Sequence, residues 1–112
     1  MSERWRKIAE VYRQFEFCRP AVDITESVVS YMRSDTEDAE ETALAFLDRR
    51  LGTCPLYQIM LVVKWLTEEF EFGNTIRSWW SDPNNPIRKT TGIPESYDIS
   101  ARGMGRYCPT RG

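Results

Sequence analysis

The sequence predicts an all-α fold: a compact bundle of four to five helices around a central buried helix spanning about residues 55–72, followed by an irregular C-terminal tail. Three observations carry this. From Ile59 to Leu66 only Lys64 is polar, so that segment is apolar on nearly every side and needs neighbours all round. Trp5, Ile8, Ala9, Tyr12 and Phe15 fall at i, i+3, i+4, i+7 and i+10, a continuous helical stripe. Ala39, Ala43, Phe46, Leu47 and Leu51 repeat the helical spacing later in the chain.

The first helix is expected over residues 3–17. Ser2 is a good N-cap, and Glu3 places a negative charge at the positive end of the helix dipole. Pro20 biases Arg19 away from helix and is expected to end the element. Asp23-Ile24-Thr25-Glu26 has the form of a capping box and opens a second helix over 24–33, with Ile24, Val28, Tyr31 and Met32 on one face. The β-branched content there makes a strand the competing reading. Ser34 to Glu41 combines a turn with an acidic helix start. The third helix runs to Leu51 with Ala39, Ala43, Phe46, Leu47 and Leu51 inward, and Gly52 is the expected glycine just past its end.

Thr53-Cys54-Pro55 starts the central helix, with proline in the first turn where its missing N–H costs nothing. That segment is too short, and too soon followed by Glu68, Glu69 and Glu71, to span a membrane. These three acids stand at the unfavourable end of the helix dipole, and basic residues from another helix or a partner could offset the cost. Gly73 is expected to stop the helix, and Asn74-Thr75 to cap a short last one over 76–80. Residues 1–81 then form a helical domain and 82–112 an extended or partly disordered tail. Asp82-Pro83-Asn84-Asn85-Pro86 reads as a turn by composition.

With 112 residues the chain holds one domain, and 41% hydrophobic against 29% charged residues excludes a disordered chain. A net charge of −2 gives no global attraction to nucleic acid or membrane. The charge is unevenly spread. Residues 1–19 carry five basic and three acidic side chains, residues 23–48 one basic and eight acidic, and residues 74–112 six basic and three acidic. An acidic face with basic ends follows. Three separated cysteines and a charged N-terminus argue against a secreted disulfide scaffold, which makes cytoplasm or nucleus the expected location.

There is no histidine, which removes the commonest general base and metal ligand. The cysteines form no C-x-x-C pair, the acidic stretch lacks the glycine of a calcium loop, and no phosphate-binding glycine loop is present. No catalytic residue, metal site or cofactor is expected, and the chain reads as a non-enzyme.

Binding is the better reading. Trp79 and Trp80 are adjacent, so on a helix they point about 100° apart and one face does not easily bury both. They either close the core or, beside Arg77, form a recognition surface, since Trp and Arg are enriched at interface hot spots. The expected partner surface comprises Arg77, Trp79, Trp80, Arg88, Lys89, Arg102, Arg106 and Tyr107, and the function is that of an adaptor or regulatory protein. The alternative is a nucleic-acid binder using Arg4, Arg6, Lys7 and Arg13 with the basic tail, against which the acidic segment 35–41 speaks. The aromatic supply exceeds what a monomer of this size needs, which favours a homodimer over a monomer. Small helical, tryptophan-rich chains with an arginine-bearing tail resemble viral accessory factors in kind, with no shared motif to carry residues across.

Overall fold

In the computed structural model, which describes residues 2–91, the chain forms six helices: α1 (Glu3–Arg13), α2 (Arg19–Met32), α3 (Ala39–Leu51), α4 (Leu56–Glu68), α5 (Gly73–Ser81) and α6 (Pro86–Thr91). No strand occurs among the described residues, so the β-branched second segment is helical. None of these helices is long and apolar enough to cross a membrane.

The apolar segment is the pillar of the bundle. Every residue of α4 from Gln58 to Thr67 is buried except Lys64. The buried Thr67 hydroxyl donates to the Val63 carbonyl at 2.9 Å, so burying it leaves no donor unsatisfied. Around the pillar the helices alternate in direction. Arg4 pairs with Glu69 and Trp5 packs edge-on against Trp65 and Phe70, which sets the start of α1 beside the end of α4. At the other end the Phe17 carbonyl meets the side chains of Tyr57 and Gln58. Helix α2 starts at that second end and finishes where Arg33 pairs with Glu71. Helix α3 returns and α5 follows the same sense, since Trp79 near the end of α5 reaches Asp48 near the end of α3.

Several boundaries differ from the sequence expectation, each for a physical reason. Helix α1 has its Ser2 cap, which accepts the Trp5 N–H at 3.2 Å, but it stops at Arg13 and not at residue 17. Pro20 does not end a helix. It occupies the first turn of α2, where no N–H is needed, and Asp23 and Glu26 fall inside that helix. The apolar face Ala21, Val22, Ile24, Thr25, Val28 and Val29 is buried as one surface, and burying it favours the longer helix over a cap at Asp23. Gly52 closes α3 with φ −61°, in right-handed conformation rather than the left-handed one expected there.

Gly73 starts α5 instead of only stopping α4. A Cβ at this position would lie 2.3 Å from the Thr67 carbonyl oxygen, so glycine is required here by space. The helical body also continues past residue 81. Asn85, itself buried, accepts the backbone N–H of Ile87 at 2.8 Å and of Arg88 at 3.3 Å, and so caps α6. Ile87 is core and packs beside Gly52.

Candidate functional site

Of the five described residues of the expected Trp/Arg surface, Trp80 and Arg88 are buried. Trp80 is 1% exposed and belongs to the core, which corrects its assignment to a partner-binding surface. Trp79 is half-buried, 6.0 Å from Trp80 between ring centroids, and its indole N–H donates to Asp48 Oδ1 at 2.9 Å. Adjacent tryptophans are accommodated because two neighbours receive them: α3 takes Trp79, and the start of α6 encloses Trp80. Arg88 is buried, donates from Nη1 to the Trp80 carbonyl at 2.9 Å, and lies over the Trp80 ring, so it too is structural in place. Of the expected residues, Arg77 and Lys89 are exposed. Arg102, Arg106 and Tyr107 lie outside the described residues, as does the tail beyond Thr91.

The basic first helix is partly neutralised. Arg4 pairs with Glu69 at 2.8 Å, and Arg13 pairs with Glu26, whose other oxygen accepts the Trp5 indole N–H at 3.3 Å. Arg6 and Lys7 are exposed. Arg6 and Arg13 line a shallow groove of about 390 Å³ between α1 and α2, with Ala9, Glu10, Gln14 and Glu26. Two carboxylates in the same groove, Glu10 from α1 and Glu26 from α2, offset the two arginines, so the groove offers no concentrated positive field.

What the structure presents instead is the turn joining α1 to α2. Phe17 is 73% exposed and Phe15 51% exposed, with Val11 one helical turn earlier and Leu56 at the start of α4 also exposed. Large apolar side chains scattered singly over a surface are ordinary; several gathered at one end of a small bundle are not. The backbone beneath them is held firmly. Cys18 and Arg19 donate their N–H groups to the Phe15 carbonyl at 3.0 Å each. The Phe17 carbonyl accepts from Gln58 Nε2 at 2.6 Å and from the Tyr57 hydroxyl at 3.3 Å. Arg19 Nε reaches the Arg13 carbonyl at 3.3 Å and closes the end of α1. The outcome is a pair of aromatic side chains displayed on fixed backbone.

Sequence reasoning missed this turn, although Phe17 does not fit the stripe of the first helix and that mismatch was the available signal. Phe15 was expected to be core and is exposed because α1 ends two residues before it. Among the described residues no group of three or more acidic, cysteine or histidine side chains is placed to hold a metal ion. Burial pushes the Cys54 thiol pKa up, Arg50 opposes this only partly, and a raised thiol pKa disfavours the thiolate. The chain matches no protein-family model, no curated protein and no solved structure.

Proposed function

We propose that this chain is a small non-enzymatic interaction protein, an adaptor or regulator working in a reducing compartment, that docks a protein partner through the aromatic turn between α1 and α2. The observation that carries the reading is the display of Phe15 and Phe17 on clamped backbone. An exposed aromatic side chain carried on backbone that is already hydrogen-bonded has only its own rotamers to order on binding, and so more of its burial contributes to affinity. Arg77 and Lys89, with Arg102, Arg106 and Tyr107, are further contacts in this reading. The absence of histidine from the sequence supports a binding role over a catalytic one, as does the pairing of Glu26, Glu69 and Glu71 with arginines.

Affinity capture with crosslinking, using the full chain and its Phe17→Ser variant, tests the proposal. The expected result is a partner held by the native chain and lost with Phe17→Ser, while Trp79→Phe retains it. Failure to capture any partner overturns the reading, and a partner held equally by Phe17→Ser moves the surface elsewhere.

A further inference from the structure

Helix α6 is held differently from the rest of the bundle. It has six residues, too few to persist as a helix without neighbours, and it packs mainly on α3. Ile87 is its one buried apolar side chain among those described, seated beside Gly52. The other anchors are polar. Asn85 Nδ2 donates to the Trp79 carbonyl at 2.8 Å, while Asn85 Oδ1 accepts the N–H groups of Ile87 and Arg88. Arg88 Nη1 donates to the Trp80 carbonyl at 2.9 Å, and its guanidinium stands 5.7 Å from the centre of the Trp80 ring. Water can replace each of these hydrogen bonds when α6 lifts, whereas the burial of Ile87 is lost outright. Beneath the helix Trp80 is 1% exposed, and its indole N–H meets no acceptor among the described residues. A buried donor left unpaired raises the free energy of the closed arrangement and recovers a partner once water reaches it. Apart from Ile87 and Cys18, every buried apolar residue of the core lies in α1 to α5, so the body needs little from α6.

We infer that α6 is a strap that lifts from Trp80 while α1 to α5 stay folded. Opening turns at the exposed segment Asp82-Pro83-Asn84 and melts the short helix. It withdraws Arg88 from the face of Trp80 and Ile87 from its seat at Gly52. Closed, the strap withholds a tryptophan; open, it adds Trp80 to the half-buried Trp79 beside it. The order of events follows from the anchors. One aliphatic side chain holds α6, and the whole apolar run Ile59–Leu66 holds α4, so the strap opens at a lower free energy than the bundle unfolds. The device is independent of the aromatic turn between α1 and α2, and its test reads neither Phe15 nor Phe17.

Native-state amide exchange of the full chain at rising urea tests this, together with hydroxyl-radical footprinting read at each tryptophan. The N–H groups of Ile87, Arg88 and Lys89 are all bonded to Asn85, so their exchange reports the strap. They are expected to exchange through an opening with little urea dependence, about tenfold or more faster than the amides of residues 59–66 once intrinsic rates are removed. Ile87→Ala is expected to speed them about tenfold or more again, with residues 59–66 as well protected as in the native chain. In Ile87→Ala, and in Asn85→Ala, which loses the bond to Trp79, oxidation of Trp80 should rise while that of the buried Trp5 and Trp65 does not. Exchange of 87–89 that follows 59–66 at every urea concentration overturns the inference. So does an equal loss of protection at both segments in Ile87→Ala, or a failure of that variant to fold, since α6 is then part of one cooperative unit. Faster exchange of 87–89 with Trp80 oxidation unchanged in both variants means that the helix frays without lifting, and overturns it as well.

Discussion

Gln58 donates its side-chain amide to the Phe17 carbonyl at 2.6 Å, linking the buried first turn of α4 to the most exposed aromatic residue of the described chain. The bond gives the pillar a second role, since the same helix that supports the core also sets the height and direction of the aromatic turn. Gln58→Glu replaces this donor by a carboxylate facing a carbonyl oxygen. It is expected to cost about 1–3 kcal/mol of stability and to weaken partner binding while Phe17 itself is unchanged. Urea unfolding and partner titration of the same variant check the two effects.

Two glycines give a matched pair. Gly73→Ala forces a Cβ to within 2.3 Å of the Thr67 backbone carbonyl, so the backbone has to move, and about 1–3 kcal/mol of destabilisation is expected. Gly52 has right-handed backbone and a Cβ there would lie 3.3 Å from the Asp48 carbonyl, a tight approach that a shift of a few tenths of an ångström relieves, so Gly52→Ala is expected to cost clearly less than Gly73→Ala. Thermal melts of the two variants decide the comparison.

Asp48 makes a pH-dependent contribution. Burial holds its carboxyl above the ordinary range, and the Trp79 N–H pulls it partly back. A folded-state pKa above the unfolded value means that the folded form holds the extra proton. Stability therefore falls as pH rises through the interval between the two values, and the deficit persists at neutral pH. Asp48→Asn keeps an acceptor for Trp79 and removes the charge, so its melting temperature at neutral pH is expected to equal or exceed the native value. Trp79→Phe leaves the carboxylate without its donor and is expected to cost about 1–2 kcal/mol.

The Arg33–Glu71 pair titrates with the opposite sign. The hydrogen bond from Arg33 holds the Glu71 carboxyl below its ordinary range. Its contribution is present above the unfolded pKa and is lost as pH falls through the folded one. The pair is exposed, so Arg33→Met is expected to cost about 0.5 kcal/mol or less at neutral pH, with the difference vanishing in acid. Unfolding curves across the acid range follow it.

For the alternative role, two of the four cations of the basic first helix are already paired, Arg4 with Glu69 and Arg13 with Glu26. A salt titration with single-stranded and duplex nucleic acid is expected to show no binding at low salt. Tight binding with a steep salt slope would reinstate that role.

Much of the bundle was legible because it depends on periodicity. The apolar run Ile59–Leu66 and the stripe Trp5, Ile8, Ala9 and Tyr12 have a single arrangement that buries them, and it is the one observed. The cations expected to offset Glu69 and Glu71 are Arg4 and Arg33. What could not be read depends on tertiary context. Pro20 is compatible with either end of a helix, and burial of Ala21 and Val22 decides for the start. Asn85-Pro86 carries both a cap and a first-turn proline, yet beside three other turn-forming residues it reads as a loop until Ile87 has a core to enter. Trp80 and Arg88 look like recognition residues by type, and only the packing of α6 makes them interior. Phe15 was hidden for the opposite reason: at the end of a helical stripe it reads as core until the helix is seen to end at Arg13.

Amide hydrogen exchange of the full chain, alone and with its captured partner, tests the central claim most directly. The account predicts new protection at residues 14–19 and 56–58, where the aromatic turn meets the start of α4. Protection confined to residues 74–81, with the turn exchanging as it does in the free chain, would contradict it.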